Sequence, residues 1–472
     1  MIPVLLILLP LVSGLLSFFL KDQKTARNWA VLSSLATLVV AIIATACCCS
    51  KSLSFDAEWL PSLGSRFTLN MDGMAKMLTL LTAISFPVVY LSTYKNNYNN
   101  SSAFFGLMML TQAGLMGVFL ASDAMLFYFF WELALIPVYF LCSIWGGEKR
   151  IAVTFKFFIY TFIGSLMMLI GIIYLYTQTP DASFALKSFY NLHLTGVQQS
   201  VCFWLFFIAF AIKMPIFPFH TWQPDAYEQS PTAVTMILSA VMVKMGIYAV
   251  IRWLVPVFPM AVAHYGNLVI ILSVIGMLYA SLIAIRQDDV KRLIAYSSIA
   301  HIGLMSAAIF VQNKIGMEGV LIQMFNHGIN VIGLWVVADA VEKQTGTRKI
   351  SELGGLAQKA PALAILLVVM AFANIALPLT NAFIGEFLMF NGLFQYNIII
   401  TAVAGISIIL GAVYTLNMIQ NIFYGNTVAL TVNTTEANGY VKWTLIGLVI
   451  IVIALGVYPQ PLLNLTSGAM LH

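Results

Sequence analysis

The chain has 472 residues, of which 61% are hydrophobic and only 9% are charged, with a mean hydropathy of +0.92. Soluble domains carry roughly 25% charged and about 45–50% apolar residues. The composition therefore excludes a soluble enzyme, a nucleic-acid-binding protein and a disordered chain. The net charge of +5 comes from 23 Lys and Arg against 18 Asp and Glu, and in a membrane protein such an excess reflects loop topology.

Apolar runs separated by charged or turn-rich stretches predict fourteen membrane-spanning helices. A span needs about 20 apolar residues, so fourteen spans take about 280 residues and leave no room for a soluble domain. Only helices satisfy their backbone in lipid at these lengths, so the predicted fold class is all-α and polytopic. The predicted limits are 2–20, 28–49, 74–94, 103–121, 124–145, 153–177, 199–222, 232–256, 264–285, 291–311, 315–341, 361–392, 397–424 and 440–460.

The loops between these spans alternate in positive charge. Loops on one side hold fourteen Lys and Arg, loops on the other side hold five, and the remaining four lie inside or at the edge of spans. Cytoplasmic loops carry the excess of Lys and Arg. The asymmetry supports an even number of spans with both termini on the non-cytoplasmic side.

No motif for nucleotide or metal binding is present. The sequence has no G-x-x-x-x-G-K, G-x-G-x-x-G or H-E-x-x-H pattern, and its five cysteines form no C-x-x-C pair. Cys47, Cys48 and Cys49 are consecutive in an apolar run, and Cys142 and Cys202 are isolated. We interpret the three consecutive cysteines as packing or lipid-facing residues, and we expect no metal and no cofactor in this chain.

Two spans are interrupted by proline, which removes a helical donor and clashes with the preceding turn. Span 7 contains Pro215 and Pro218, and span 12 contains Pro378. Their separation by five spans predicts two five-helix repeats of opposite orientation, an arrangement typical of ion pathways; two unrelated proline kinks are the alternative. The predicted units are three N-terminal helices (1–102), a first repeat (103–256), a second repeat (264–425) and a C-terminal helix (426–472).

Four charged side chains lie deep inside spans, namely Glu132, Lys213, Lys244 and Glu386. Each costs about 2.5–3.5 kcal/mol on insertion scales, and such residues mark ion pathways by default. An apolar site favours the neutral form of Lys213, and a nearby Glu132 favours the charged form. Movement of Glu132 relative to Lys213 would therefore load or release a proton. The alternative is a buried ion pair that only fixes helix register.

Neutral polar residues continue this line at helical spacing in the second half of the chain. They are Ser297 and His301 in span 10, Gln323, His327 and Asn330 in span 11, and Tyr414, Asn417 and Asn421 in span 13. Residues three and four apart lie on one face of a helix, and histidine accepts and donates protons near neutral pH. We predict a hydrated relay that ends at Glu386; satisfied core histidines are the alternative.

The remaining charged residues receive simpler interpretations. Lys76 and Lys156 lie near span ends and are expected to snorkel. Asp225 and Glu228 are interpreted either as helix caps or as a cytoplasmic entrance. Asp288, Asp289, Lys291 and Arg292 are expected to form a short mixed-charge loop.

Four segments resemble the proton-conducting, antiporter-like subunits of respiratory complex I. They are WELALIPVYFL from Trp131, KMPIFPFHTWQPDAYEQSPTAV from Lys213, SAVMVKMGIYA from Ser239 and DDVKRLIAYSSIAHIGLMS from Asp288. The resemblance covers about residues 70–425, and the segment around His220 and Asp225 is highly specific to this superfamily. The superfamily comprises the L, M and N chains of the complex and the large Mrp antiporter subunits.

The resemblance implies roles for matching residues of this chain. Glu132 and Lys213 would form the pair on spans 5 and 7, Lys244 would be the central lysine, His301 and His327 would bridge to span 12, and Glu386 would be the terminal acid. Length, the absence of a long lateral helix after span 14, and Glu386 where L and N chains typically have Lys favour the M type. A D-type Mrp cation/proton antiporter subunit is the alternative.

The resemblance also implies partners, cofactors and location. NADH, FMN, iron–sulfur clusters and quinone would belong to other subunits of an NADH:quinone oxidoreductase, with L- and N-type chains flanking this one in a bacterial inner membrane. The chain would have no catalytic turnover alone. A further hypothesis is a scaffold whose polar axis only passes electrostatic strain between neighbours.

Overall fold

The computed structural model describes residues 1–46 and 50–466, so Cys47, Cys48 and Cys49 lie outside the described residues. The helices are α1 (Ile2–Ser17), α2 (Gln23–Ala46), α3 (Ser50–Leu53), α4 (Gly73–Ser92), α5 (Ser101–Leu120), α6 (Ala124–Trp145), α7 (Arg150–Gln178), α8 (Leu186–Tyr190), α9 (Gly196–Lys213), α10 (Gln223–Gln229), α11 (Thr232–Val257), α12 (Pro259–Ile285), α13 (Val290–Phe310), α14 (Lys314–Thr345), α15 (Pro361–Asn374), α16 (Asn381–Tyr396), α17 (Ile398–Phe423), α18 (Gly439–Val457) and α19 (Gln460–Thr466). Two strands, β1 (Ser54–Leu60) and β2 (Ser65–Asn70), complete the list.

Twelve of these helices are long and apolar enough to cross a membrane, within the described part of the chain. Two shorter apolar helices, α1 and α15, fall at predicted spans 1 and 12. The prediction of a polytopic, helical membrane protein is therefore confirmed. The count of fourteen crossings stays a prediction, as do the limits of the two repeats.

The helix of span 7 breaks at the predicted prolines. Helix α9 ends at Lys213, two residues before Pro215, and the chain then turns through Pro218 before α10 begins at Gln223. The predicted span of 199–222 was therefore too long at its end. The break leaves Lys213 as the last helical residue, where carbonyl groups no longer have helical donors.

The helix of span 12 is also interrupted. Helix α15 ends at Asn374 and α16 begins at Asn381, with Pro378 between them. Ala376 and Leu379 in this break have φ angles of 56° and 74°. The left-handed region disfavours residues with a Cβ, so the surrounding structure must hold this segment in place.

Helices α11, α13 and α14 form the centre of the molecule. Most of the residues along these three helices are buried, whereas α2, α17 and α18 have largely exposed faces. A helix that is apolar all round is buried among others. Lys244 and His327 are buried on α11 and α14, whereas His301 on α13 is only partly buried, with 13% of its side chain exposed.

One local arrangement occurs twice in the structure. Asp123 caps α6 and forms an isolated antiparallel bridge with Ala185, and Asp289 caps α13 and forms the same kind of bridge with Lys349. Backbone hydrogen bonds flank both bridges on each side, at 2.8 and 2.9 Å in the first and 3.1 and 2.7 Å in the second. This recurrence is what a duplicated helical unit predicts.

The described residues also form a β-hairpin. β1 pairs antiparallel with β2, and the Arg66 guanidinium donates to both carboxylate oxygens of Asp56 at 2.6–3.2 Å. Gly64 supplies the turn with a φ of 70°. This hairpin was not predicted from the sequence, because the alternating SFDAEWL segment is not a long apolar run.

Candidate functional site

The ammonium group of Lys244 contacts a histidine at the centre of the molecule. Lys244 is fully buried. Its Nζ donates to the Ser239 carbonyl at 2.9 Å and lies 2.7 Å from Nδ1 of His327. Leu238–Met242, just before Lys244, form a π-helical turn, and such turns change the backbone pairing at functional sites. Lys244 and His327 therefore link α11 to α14 through a polar contact.

The polar line continues from His327 to Glu386. The rings of His327 and His301 have centroids 5.5 Å apart. Nδ1 of His301 lies 3.0 Å from Oε1 of Glu386, and the Gln323 amide donates to the same oxygen at 3.3 Å. Four helices, α11, α14, α13 and α16, thus place Lys244, His327, His301 and Glu386 in one buried series.

The amide side chains of α14 bind backbone groups on both sides of the break between α15 and α16. Asn330 donates to the Ala373 carbonyl at 3.1 Å, and Asn326 donates to the Asn381 carbonyl at 2.7 Å. Unwound backbone in a membrane protein needs such partners because no bulk water reaches it. The predicted stripe on span 11 therefore also stabilises the interrupted helix that carries Glu386.

Lys213 occupies a second charged position, at the broken end of α9. It is 2% exposed, and its Nζ lies 5.6 Å from the centre of the Trp131 ring. Glu132 follows Trp131 on α6, so it is adjacent in sequence to the residue whose ring the Lys213 ammonium faces. Gly246 of α11 packs directly against Met214, since a Cβ at Gly246 would come within 2.7 Å of the Met214 nitrogen. The lysine-bearing helices therefore meet at the break.

Glu132 and Lys213 do not form a hydrogen bond, although the sequence interpretation paired them. Oε1 of Glu132 and Nζ of Lys213 both lack a hydrogen-bond partner within the described residues. The structure divides the six predicted axis residues into two groups. These groups are Glu132 with Lys213, and Lys244 with His327, His301 and Glu386.

The three accessory residues lie at different places. His220 is 3% exposed and packs against the rings of Phe217 and Tyr279, with centroids at 5.8 and 5.2 Å, outside both groups. The Tyr414 hydroxyl donates to Oγ of Ser297 at 3.0 Å, one helical turn before His301. Tyr414 therefore lies next to the second group.

Asp225 belongs to an ion-pair network that the sequence analysis did not predict. Its carboxylate contacts Lys156 at 2.8 Å and Arg292 at 3.0 Å. Arg292 also contacts Glu228 at 2.8 Å, and Glu228 contacts Arg348 at 3.2 Å. Lys156 lies near a span end as expected, and its Nζ also contacts Asp225, which was not predicted.

The same network includes residues assigned to a mixed-charge loop. Arg348 contacts Asp289 at 3.1 Å and Glu342 at 3.8 Å, and Glu342 contacts Lys291 at 2.7 Å. Opposite charges spread over α7, α10, α13, α14 and the following loop thus converge at one end of the bundle. Nothing in the local spacing could reveal this, since the partners are up to 120 residues apart.

Several buried polar atoms of the axis have no hydrogen-bond partner within the described residues. They are Glu132 Oε1, Lys213 Nζ, His301 Nε2, Gln323 Oε1, His327 Nε2 and Asn330 Oδ1. Buried polar groups are normally satisfied by protein or by ordered water. Their arrangement between ionisable side chains suits water-mediated proton transfer.

The candidate metal ligands and the cysteines of the described residues lie as follows. In residues 1–46 and 50–466, no group of three or more His, Cys, Asp or Glu side chains is placed to hold a metal ion. Cys142 and Cys202 are free and buried.

Fold and site together define a class: polytopic helical membrane proteins with interrupted helices and a buried line of Lys, His and Glu at mid-bundle. Residues 121–411 match the family described as NADH:quinone oxidoreductase/Mrp antiporter, TM. The chain belongs to this family.

Relatives and solved structures agree with that assignment. The chain is 32% identical over 473 residues to NADH-quinone oxidoreductase subunit M of Rickettsia typhi, covering 97% of this chain and 95% of the relative. It is 36% identical to subunit M of Rhodobacter capsulatus, over 88% of this chain and 83% of the relative.

Among solved structures, a chain of respiratory complex I from Thermus thermophilus matches with a TM-score of 0.91 and 27% identity, covering 98% of each chain. A chain of the Mrp complex from Dietzia matches with a TM-score of 0.87 at 20% identity, covering 99% of this chain and 96% of that one. At that identity the likeness is one of fold.

Proposed function

We propose that this chain is a proton-translocating membrane subunit, of the M type, in an NADH:quinone oxidoreductase. The observation that carries the proposal is the buried series from Lys244 to Glu386. It has separations of 2.7 Å from Lys244 to His327, 5.5 Å between the two imidazole rings, and 3.0 Å from His301 to Glu386. The similarity to subunit M chains supports the same function.

Each residue of the series has a role in holding or moving a proton. The Lys244 ammonium can give a proton to Nδ1 of His327, since imidazole accepts at one nitrogen and donates from the other. The wider gap between the imidazole rings requires a water molecule as carrier. His301 exchanges a proton with the Glu386 carboxylate, with which it is in direct contact. Glu132, next to the Trp131 ring that Lys213 faces, provides the corresponding switch at the first break.

The chain contributes proton transfer, and the redox chemistry belongs to other subunits. We assign NADH, FMN, iron–sulfur clusters and quinone to those subunits, and no turnover to this chain alone. L- and N-type chains are the proposed neighbours. The similarity to subunit M chains of bacterial complexes supports a bacterial inner membrane location. The asymmetry of fourteen to five in loop Lys and Arg supports an orientation with both termini on the non-cytoplasmic side.

Lys213→Ala and Glu386→Gln, made separately, test this function. Membranes with each variant are assayed for NADH:quinone activity and for the NADH-driven pH gradient, with native gels to measure assembly. We expect both to fall in assembled complex, because the ionisable axis is coupled to electron transfer. Full activity and gradient in both variants would contradict the proposal. Unchanged NADH activity with lost Na⁺ tolerance at high pH would instead indicate an Mrp-type antiporter.

A further inference from the structure

A polar cavity of about 460 Å³ lies where α12 and α17 end near one another. Its lining includes Arg286, Asp288, Asn417 and Asn421, all of which are exposed. Arg286 belongs to the set of loops rich in Lys and Arg. The cavity is therefore a vestibule at the basic end of the bundle, and Asn417 and Asn421 line it from α17.

Tyr414 closes the inner end of this vestibule. It lines the vestibule and also a second cavity of about 30 Å³, which His301 and Glu386 line as well. Water needs only about 10–15 Å³ of such volume, so the inner cavity is large enough to hold it beside the carboxylate. Tyr414 itself is 2% exposed. Tyr414 is therefore common to the linings of the vestibule and the Glu386 site.

The Tyr414 hydroxyl is held by a hydrogen bond that a side-chain rotation can release. It donates to Oγ of Ser297 at 3.0 Å, and the Asn374 amide donates to the same oxygen at 3.0 Å. Asn374 is the last residue of α15, directly before the break that leads to Glu386. The position of Tyr414 is thus coupled, through Ser297, to the interrupted helix.

We propose that Tyr414 gates an aqueous path between the basic end of the bundle and the Glu386 carboxylate. The inference rests on the proposed proton-translocating function and gives the second group of ionisable residues its own route to one membrane face. In the open state one proton passes from vestibule water through the inner cavity to a Glu386 oxygen. The carboxylate becomes neutral, the vestibule loses one proton, and no other bond changes.

Cysteine labelling in the assembled complex tests the path. Asn417→Cys and Leu416→Cys are compared, since both lie at the same depth on α17 but Leu416 lies outside the vestibule lining. Closed vesicles of each orientation receive a charged, membrane-impermeant methanethiosulfonate, with the wild-type chain as the background for its native cysteines. We expect labelling of Asn417→Cys only from the basic, proposed cytoplasmic face, and no labelling of Leu416→Cys.

Gly411→Cys tests the gate, because Gly411 lines the inner cavity and a Cβ there meets the Tyr414 hydroxyl only at an ordinary 3.6 Å. We expect Gly411→Cys to resist labelling and Gly411→Cys with Tyr414→Ala to react at least tenfold faster from the basic face. Tyr414→Phe, which keeps the ring and loses the bond to Ser297, should give a smaller increase. It keeps the test decisive if the alanine variant fails to assemble.

Two results would overturn the path. One is an inert Asn417→Cys, or one that reacts from the opposite face. The other is a Gly411→Cys rate that is unchanged by both Tyr414 substitutions. Labelling does not depend on pumping, so either result alongside a normal pH gradient would reject the path and leave the proposed function standing. Normal labelling together with no pumping defect in Lys213→Ala would leave the path standing and reject the proposed function.

Discussion

Lys213 and Lys244 are both buried, yet their ammonium groups have different surroundings. Lys244 is hydrogen-bonded to a carbonyl and to His327, whereas Lys213 faces the Trp131 ring and has no hydrogen-bond partner within the described residues. Cation–π contact stabilises a desolvated ammonium less than charge-assisted hydrogen bonds do. The protonation state of Lys213 is therefore more easily changed than that of Lys244. Glu132, the neighbour of Trp131, is the acidic residue proposed to change it.

Asp225 shows the opposite situation, a carboxylate held by two cations. Partial burial opposes its ionisation, but hydrogen bonds from Lys156 and Arg292 outweigh this effect and hold the pKa of Asp225 below its ordinary value. Such a group stabilises the folded state above the unfolded-state pKa, and the stabilisation disappears as the pH falls through the lower folded-state value.

Asp225→Asn is expected to lower the thermal stability of the purified complex at neutral pH. Loss of one partner leaves Lys156 and Arg292 partly uncompensated, at a cost of about 1–2 kcal/mol, between exposed and fully buried pairs. The difference from wild type should shrink as the pH falls below about 4. Thermal unfolding of both proteins across pH measures this.

Asp56→Asn is the matched control, because Asp56 pairs with Arg66 on the hairpin with about half of each side chain exposed. A shift for Asp56→Asn as large as that for Asp225→Asn would show that the network at the end of the bundle has no special stabilising role.

At the scale of helices, close packing positions the ionisable residues. Gly246 lets α11 approach the broken end of α9, and Gly385 lets α16 approach Gln323 on α14, where a Cβ would come within 2.5 Å of the amide oxygen. Small residues at such crossings are typical of membrane bundles. Each glycine lies within two residues of an axis residue, Lys244 or Glu386, so helix spacing and side-chain position are linked.

Gly246→Ala is expected to destabilise the subunit by about 1–3 kcal/mol, the usual cost of overpacking a filled core. The new methyl would meet the backbone of Met214 and the Phe210 carbonyl, both within 2.8 Å, and backbone cannot move aside cheaply. Thermal unfolding of the assembled complex measures the loss.

Gly447→Ala on α18 is the control, since nothing lies within 4 Å of a Cβ at that position. Equal stability of the Gly246→Ala and Gly447→Ala proteins would contradict the proposed contact between α11 and the broken end of α9.

The helices, both breaks and the identities of the buried charged residues could be predicted from the sequence, because apolar runs, prolines and isolated charges are local signals. The contacts that these residues make with one another could not be predicted. The sequence placed His327 on a polar face without showing that this face meets Lys244, and it paired Glu132 with Lys213 without showing whether they touch; Glu132 Oε1 and Lys213 Nζ have no hydrogen-bond partner within the described residues. The hairpin was missed because its alternation is short, and the ion-pair network was missed because its members are distant in the chain.

At the scale of the whole molecule, Lys244, His301 and His327 lie on the three largely buried helices, and Glu386 lies beside them on α16. The two breaks lie on either side of this centre, one ending at Lys213 and the other preceding Glu386. The contact between Lys244 and His327 joins α11, in the first predicted repeat, to α14, in the second. The proposed proton path across the subunit therefore depends on Lys244 more than on any residue at its ends.

The most direct test of proton transfer along the Lys, His and Glu series is the NADH-driven pH gradient in membranes carrying Lys244→Met, with native gels to establish assembly. Lys187→Met, which removes an exposed lysine on the short helix α8, is the control. We expect a gradient reduced several-fold for Lys244→Met in assembled complex and an unchanged gradient for Lys187→Met. A wild-type gradient in assembled Lys244→Met complex would contradict the claim that protons cross this subunit along the Lys, His and Glu series.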